Sequence, residues 1–243
     1  MKTLQQQDIQ FFCDGLRLMG TLHLPEDTGQ KPSCIIGSHG LFSDASSPKQ
    51  IALANACTSR NMAYFRFDHR GCGRSEGDFK TETTITNRFQ DYSAATQTIK
   101  DHPQLAGNTI GFFGSSLGGS IALLAGISLN TQAIVTLAAP ISMHSVWDVL
   151  IQNGQDQLLS KDFYEEAIAF DIMDQLHGIK NILIFHGSED EVVPLSNAHQ
   201  IYQHAEDPKN LIILDGGCHR LSETHHQQIF MKHTLDWFAS FLT

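Results

Sequence analysis

The chain has 243 residues, 41% hydrophobic and 17% charged, which fits one α/β domain spanning residues 1–243 with a substantial core. The formal net charge of −10 argues against nucleic acid and against an anionic membrane surface as partners. No apolar run reaches the roughly 18 residues of a membrane-spanning helix, and residues 1–15 lack the apolar segment of a signal peptide, so a cytoplasmic protein is expected.

The cysteines and histidines favour a reducing compartment and predict no metal site. The five cysteines are odd in number and form no C-x-x-C pair. They are Cys13, Cys34, Cys57, Cys72 and Cys218. The thirteen histidines include no H-E-x-x-H motif. We therefore expect neither a metal nor an organic cofactor, and the sequence leaves open whether the protein is a monomer or a homodimer.

Apolar runs and turn residues predict strands that alternate with helices through the middle of the chain. The predicted strands are a hairpin over residues 8–24 with its turn at Asp14-Gly15, then 33–38, 62–67, 108–113, 133–137, 182–185 and 211–214. The predicted helices are 48–60, 87–101, 120–128, 196–204 and 223–241. This alternation is typical of an α/β fold with a parallel sheet between two helical layers, whose sites lie at the carboxyl ends of the strands.

Residues 141–178 form an insertion that is longer than one crossover helix requires. Long insertions above strand ends are often lids. The candidate pocket residues are its aromatic side chains together with Phe42, which follows an early strand. The aromatic residues of the insertion are Trp147, Phe163, Tyr164 and Phe170. The alternative is that each of these four simply packs the insertion onto the core.

The run Gly-Ser-Ser-Leu-Gly-Gly over residues 114–119 lies between a predicted strand and a predicted helix. It matches the G-x-S-x-G nucleophile elbow, whose register selects Ser116 and leaves Ser115 as a neighbour. The alternative is a glycine-rich turn of a nucleotide-binding fold, but the chain contains neither G-x-G-x-x-G nor G-x-x-x-x-G-K-[ST]. The elbow therefore predicts a serine nucleophile.

A serine nucleophile needs a base, and the base needs a carboxylate that orients it. Asp190 lies in the turn after the strand over 182–185, and His219 follows the strand over 211–214. The chain order of serine, acid and base is the order found in hydrolases with this elbow. Asp190 could instead cap its own turn, and His219 could be an ordinary loop histidine. Glu189 and Glu191 are expected to be exposed neighbours.

Four motifs carry a resemblance to a known family: the segments 39–42, 68–77 and 114–119, and the segment 186–194 together with 216–219. With these motifs the chain resembles the α/β-hydrolase fold. Within that fold it is similar to the small-lidded carboxylesterases, which include bacterial feruloyl (cinnamoyl) esterases and relatives of monoacylglycerol lipases. The resemblance implies an eight-stranded, mostly parallel sheet with an antiparallel second strand, and a lid at residues 141–178.

The resemblance also implies roles for individual residues. Ser116 would be the nucleophile, Asp190 the acid and His219 the base, and the backbone N–H groups of Leu41 and Leu117 would form the oxyanion hole. The chain departs from many relatives in two places. Ser115 stands where a histidine is common, and Cys218 stands where aspartate or glycine is common, so the fine substrate assignment is not carried over.

Together these features predict a serine hydrolase that cleaves small-molecule carboxylic esters through an acyl-enzyme. A peptidase or a thioester hydrolase on the same scaffold is the alternative among enzymes. A non-catalytic protein that binds a small ligand is the alternative of a different class, although a competent residue stands at each predicted catalytic position. An aspartate nucleophile is disfavoured because the elbow holds serine.

Overall fold

The computed structural model describes residues 5–26 and 31–242, and the strands of these ranges form one eight-stranded sheet. The strands are β1 (Gln5–Cys13), β2 (Leu16–Leu24), β3 (Cys34–Ser38), β4 (Ala63–Phe67), β5 (Ile110–Ser115), β6 (Ala133–Leu137), β7 (Ile182–Gly187) and β8 (Lys209–Leu214). Their order across the sheet is β1-β2-β4-β3-β5-β6-β7-β8.

Only the second strand runs against its neighbours among these eight. β2 pairs antiparallel with both β1 and β4, whereas every other pair from β4 to β8 is parallel. The turn between β1 and β2 has positive φ values at Asp14 (50°) and Gly15 (82°). Tight hairpins need positive φ at both turn residues, and Asp-Gly is one of the pairs that adopt it readily. The predicted hairpin and the predicted antiparallel second strand are confirmed.

Helices cover both faces of the sheet. They are α1 (Pro48–Ser59), α2 (Phe79–Glu82), α3 (Ile85–Asp101), α4 (Leu117–Ser128), α5 (His144–Gln152), α6 (Lys161–Ala169), α7 (Ser196–His204) and α8 (Thr224–Phe241). Two hydrophobic clusters form the core, one with α3, α4 and α7 and the other with α1 and α8. Consecutive strand residues divide between them: Ile36, Phe112, Ile134 and Ile184 join the first cluster, and Ile35, Phe113, Val135 and Phe185 join the second. Both faces of each central strand are therefore buried, as the continuous apolar runs predict.

The largest difference from the predicted elements lies at the elbow. The predicted helix begins at residue 120, but α4 begins at Leu117, directly after Ser116. Gly118 and Gly119 belong to its first turn, where a Cβ at Gly118 would overlap the Ser38 carbonyl and a Cβ at Gly119 would lie 2.6 Å from the Ala139 Cβ. These glycines permit close packing of a helix rather than a longer turn.

The insertion between β6 and β7 is helical. It contains α5, α6 and two 3₁₀ turns over Asp156–Leu158 and Met173–Gly178. An isolated bridge between Ser142 and Asp171 joins the two ends of the segment that carries α5 and α6. Across residues 5–26 and 31–242, no helix combines the length and the apolar character needed to cross a membrane.

Candidate active site

Ser116 occupies the tightest point of the chain between β5 and α4. Its φ of 55° and ψ of −132° place it in a backbone region that residues other than glycine rarely adopt. The turn is possible because Gly114 has no side chain: a Cβ there would overlap the Gly118 carbonyl. The Ser116 N–H donates to the Leu137 carbonyl at the end of β6, with an N–O distance of 2.8 Å. The strained serine is thus held by the sheet itself.

The structure brings Ser116, His219 and Asp190 into one chain of hydrogen bonds. The Ser116 Oγ lies 3.1 Å from the His219 Nε2. The His219 Nδ1 lies 3.0 and 2.9 Å from the two carboxylate oxygens of Asp190. Ser116, His219 and Asp190 follow β5, β8 and β7, so the carboxyl ends of three parallel strands assemble the site.

The Asp190 carboxylate is fully buried, and its surroundings keep it ionised. Burial alone would raise its pKa. The hydrogen bonds from His219 and from the backbone N–H groups of Val193 and Val192 outweigh that effect and lower the pKa below its ordinary value. An ionised acceptor at Nδ1 means that this nitrogen carries the imidazole proton, which leaves the Nε2 lone pair facing Ser116. Asp190 therefore caps its turn and orients His219 at once.

Neighbouring acids hold the histidine loop from outside. Glu189 and Glu191 are exposed, as expected. The Glu191 carboxylate accepts the His219 backbone N–H at 3.0 Å, and the Glu189 N–H donates to the Gly217 carbonyl at 3.0 Å. Neither carboxylate takes the position of Asp190 beside the imidazole.

The loop after β3 lies against Ser116. A Cβ at Gly40 would be 3.4 Å from the Ser116 Cβ, so the backbone at Gly40 packs beside the serine. Leu41 is the next residue of this loop. Leu117 is the first residue of α4, where a backbone N–H has no acceptor within the helix and lies at the positive end of the helix dipole. Leu117 thus adjoins Ser116 in the chain, and Leu41 follows the residue that packs against it; an oxyanion-hole role for their N–H groups stays a prediction.

Comparisons with known proteins place this geometry in a family. The family model described as the prolyl oligopeptidase family matches residues 49–243. The chain belongs to the prolyl oligopeptidase family. Its members share a hydrolase scaffold, and the resemblance to the α/β-hydrolase fold is confirmed.

Individual relatives share about a quarter of their residues or fewer with this chain. The chain is 25% identical to the uncharacterized protein YfhR of Escherichia coli K12, over 94% of this chain and 78% of that protein. It is 26% identical to the mitochondrial palmitoyl-protein thioesterase ABHD10 of Rattus norvegicus, over 81% and 71%. The structure of ferulic acid bound to Est1E from Butyrivibrio proteoclasticus superposes with a TM-score of 0.80 and 19% identity, covering 96% of this chain and 98% of that chain.

This member of the prolyl oligopeptidase family places two basic residues near the site that the sequence does not signal. The Lys49 Nζ, in the first turn of α1, donates to the Ser115 Oγ at 3.3 Å. Burial lowers the pKa of Lys49 to about 8. Arg88, on α3, donates to the backbone of the loop that packs beside Ser116. Both residues lie outside the four motifs of the sequence, so only the folded chain reveals them.

Cys218, the second departure from many relatives, precedes the candidate base in the chain. It is only partly buried, and its Sγ lies 3.4 Å from the Ser222 Oγ. Hydrogen bonds from the Ser222 side chain and backbone lower the pKa of the Cys218 thiol.

The predicted pocket aromatics lie in three different environments. Phe163 and Phe170 are buried in the larger core cluster, so packing of the insertion onto the core accounts for both. Trp147 is partly buried, with its ring centroid 4.9 Å from that of Tyr164, and Tyr164 is 42% exposed. Phe42 is also 42% exposed, and its ring lies 5.7 Å from that of Phe79. A pocket role for these side chains stays a prediction.

A cavity of about 610 Å³ adjoins the loop after β3. Its apolar lining comes from Phe42, Phe79 and Leu158, the last of which belongs to a 3₁₀ turn of the insertion. This volume lies in the range of sites for small molecules. In the part of the chain that the structure describes, no group of three His, Cys, Asp or Glu side chains is arranged to hold a metal ion.

Proposed function

We propose that this protein is a serine hydrolase that cleaves carboxylic esters through an acyl-enzyme. The observation that carries the proposal is the hydrogen-bonded chain from Ser116 through His219 to Asp190 at the carboxyl edge of the sheet. Each neighbouring pair lies within hydrogen-bond distance, and the acid orients the base as a serine nucleophile requires.

Acylation follows from the orientation of the three side chains. The Ser116 Oγ attacks the ester carbonyl carbon while its proton moves to the His219 Nε2, and Asp190 stabilises the imidazolium that forms. The N–H groups of Leu41 and Leu117 bind the developing oxyanion, where loss of one such donor typically costs about 100- to 1000-fold in rate. When the carbon–oxygen bond breaks, the imidazolium donates its proton to the departing alkoxide.

Deacylation repeats these steps with water. His219 accepts a proton from the water that attacks the acyl-enzyme carbonyl, and it returns that proton to the Ser116 Oγ as the carboxylic acid leaves. The residues return to their starting protonation states. No metal ion or organic cofactor takes part in this scheme.

The cavity beside Phe42 supports substrates with short, medium or aromatic acyl groups. Its volume of about 610 Å³ is large enough for such a group, and its lining includes Phe42 but not Ser116, Asp190 or His219, so Phe42 is the residue that would connect it with an acyl site. We expect no activation at lipid interfaces. Soluble butyrate and cinnamate esters, assayed against emulsified long-chain triglyceride, test this expectation. A jump in the rate on triglyceride above its solubility limit would contradict it.

A thioester hydrolase is the second candidate, because relatives at 26% and 24% identity bear the name palmitoyl-protein thioesterase. The same acyl-enzyme can form from either bond, so the catalytic residues do not separate the two activities. The family name suggests a peptidase as a third candidate activity. A panel of butyrate ester, acyl-CoA thioester and prolyl-peptide anilide, compared by kcat/KM, ranks the three bond types.

Labelling with a fluorophosphonate tests the nucleophile directly. We expect stoichiometric attachment at Ser116 in the wild-type protein and neither attachment nor turnover above background in Ser116→Ala. Ser115→Ala is the matched control, because its hydroxyl is one residue away, and it should keep most of the activity. Unlabelled wild-type protein would instead favour a binding protein without catalysis, and turnover by Ser116→Ala would exclude the mechanism.

A further inference from the structure

Arg88 is a fully buried cation beneath the loop that packs beside Ser116. It projects from α3, and its side chain is among the largest in the structure with no exposed surface. Its hydrogen-bond acceptors in the described part of the chain are three backbone carbonyls and one thiol, so none is a carboxylate. Burying a charge is costly unless its surroundings compensate, and here the compensation comes from the backbone of one loop together with the nearby Cys72 and Asp91.

The guanidinium contacts three consecutive residues of that loop. Its Nη1 donates to the carbonyls of His39 and Gly40, each at 3.4 Å, and its Nη2 donates to the Leu41 carbonyl at 3.0 Å. The Nη2 also lies 3.6 Å from the Cys72 Sγ. A planar guanidinium presents its donors in a fixed geometry, so these contacts determine the direction of the carbonyls as well as their position.

The direction of a carbonyl determines the direction of the next N–H. The Gly40 carbonyl and the Leu41 N–H belong to one planar trans peptide, in which the C=O and N–H bonds point in opposite directions. A Gly40 carbonyl that points at Arg88 therefore turns the Leu41 N–H away from Arg88. A Cβ at Gly40 would lie 3.4 Å from the Ser116 Cβ, so the peptide that carries this N–H is next to the serine.

His39 reinforces the same orientation. Its Nε2 accepts the His69 backbone N–H at 3.2 Å, so the ring proton resides on Nδ1, which lies 2.9 Å from the Gly40 carbonyl oxygen and donates to it. Burial, with the nearby charges of His69 and Arg88, lowers the pKa of His39 well below its ordinary value, which keeps the ring neutral. Two donors from different elements thus meet at one carbonyl oxygen.

We propose that Arg88 is a positioning residue for the oxyanion hole: it holds the peptide between Gly40 and Leu41 so that the Leu41 N–H faces the carbonyl oxygen of the substrate. The inference rests on the proposed function, because it assigns the oxyanion to that N–H. Arg88 contacts neither substrate nor the reacting atoms. Its effect is expected in the transition state, when negative charge develops on the oxygen, and not in the binding of the uncharged ester.

The test compares Arg88→Met and Arg88→Lys with the wild-type protein. Methionine fills much of the space without donors, and lysine keeps a cation that reaches fewer carbonyls. Arg60→Met, an exposed arginine after α1, is the matched control. The readouts are kcat and KM for p-nitrophenyl butyrate and the Ki of a trifluoromethyl ketone, which forms a tetrahedral adduct with the serine and places an oxyanion in the hole.

For Arg88→Met we expect kcat to fall about 10- to 100-fold, as misplacement of a catalytic group by about 1 Å can do. The Ki should rise by a similar factor while KM changes less than about 3-fold. Arg88→Lys should give a smaller loss in both kcat and Ki. The control should match the wild-type protein in all three quantities.

Folded Arg88 variants that keep kcat and Ki within about 3-fold of wild type would overturn the inference, and so would a fall in kcat without a matching rise in Ki. Circular dichroism and thermal unfolding establish folding, and if Arg88→Met does not fold, Arg88→Lys decides by the same readouts. Failure of the proposed function gives a different result, since the wild-type protein would then show no fluorophosphonate labelling at Ser116.

Discussion

Two Ser-His-Asp arrangements lie within residues 5–26 and 31–242, and their surroundings differ. In the first, the Ser116 Oγ lies 3.1 Å from the His219 Nε2, and His219 reaches Asp190. In the second, the Ser38 Oγ lies 3.0 Å from the His69 Nε2, and the His69 Nδ1 lies 3.5 Å from the Asp91 Oδ2. The chemical groups and the nitrogen atoms used are the same in both.

Access to solvent separates the two arrangements. The side chain of His219 is 15% exposed, whereas Ser38, His69 and Asp91 are completely buried. Burial lowers the pKa of His69 to about 4, which makes its ring a weak base. Asp91 also accepts from the Arg70 Nε at 2.8 Å, so its charge is already committed to an ion pair.

The comparison indicates that a serine, a histidine and an aspartate placed close together are not enough to make a nucleophile. A substrate must reach the serine, and the base must accept a proton near neutral pH. Hydrogen-bond donors must also be in place where the oxyanion forms. We expect the arrangement of Ser116, His219 and Asp190 to control the rate of hydrolysis. The buried arrangement of Ser38, His69 and Asp91 should instead control the stability of the fold.

The largest expected effect is on kcat, and it should distinguish Asp190 from Asp91. Asp190→Asn should lower kcat about 10⁴-fold, because an amide favours the wrong tautomer of His219. Steady-state hydrolysis of a soluble ester measures the loss. Glu191→Gln is the control, since its carboxylate binds the loop backbone and not the imidazole. An equal loss in Glu191→Gln would mean that the acid is misassigned.

The corresponding change in the buried arrangement, Asp91→Asn, should act on folding. It removes the buried partner of Arg70 and leaves only the half-exposed Asp14, and breaking a buried ion pair typically destabilises a protein by about 3–5 kcal/mol. Urea unfolding measures the difference in the free energy of unfolding. Turnover per folded molecule should stay within about 10-fold of wild type, and a loss as large as that of Asp190→Asn would erase the distinction between the arrangements.

Acid should destabilise the protein through its buried histidines. The pKa of His69, and likewise that of His23, is about 4 in the folded chain, mainly because of burial, against about 6.5 when unfolded. Between these values the unfolded chain binds protons that the folded chain does not. The free energy of unfolding is therefore highest above pH 6.5 and falls toward pH 4, by up to about 1.4 kcal/mol per pH unit for each histidine.

Urea unfolding between pH 4.5 and 7.5 measures this slope. His69→Gln should make it shallower, whereas His225→Gln, a change at an exposed position on α8, should leave it unchanged. The same slope in all three proteins would show that proton uptake elsewhere governs acid stability.

The smallest expected effect concerns Phe42. Phe42→Ala should raise KM for a cinnamate ester about 3- to 10-fold and change KM for a butyrate ester less, because the exposed ring would cover an aromatic acyl group. Phe12→Ala removes an even more exposed ring, 62% accessible, from β1 at the far edge of the sheet, and serves as the control. Equal changes in KM for both esters would remove Phe42 from the pocket.

Much of the fold could be predicted from the sequence, because parallel strands that are buried on both faces have continuous apolar sequences. The strand over Ala133–Leu137 and the helix over Ser196–His204 match the predicted ranges at both ends. The start of α4 could not be placed, since its glycines resemble a turn until the carbonyl of Ser38 and the side chain of Ala139 are packed against them.

The three candidate catalytic residues could be located because each follows a strand. Arg88 and Asp91 could not, because their partners lie in loops distant in sequence and are partly backbone atoms that carry no residue signature. The aromatic residues of the insertion were ambiguous for another reason: an apolar side chain in a lid and one in the core have the same composition. Only burial separates Phe163 from Tyr164.

The hydrogen bond from the Ser116 N–H to the Leu137 carbonyl makes this serine part of the ladder between β5 and β6. Because this bond closes the ladder at its carboxyl end, a change in the strained conformation of Ser116 breaks a hydrogen bond between two central strands, and central strands open only near the free energy of global unfolding. Hydrogen exchange at this amide should therefore be as slow as in the core. Heat should then inactivate the enzyme and melt the sheet in a single cooperative transition.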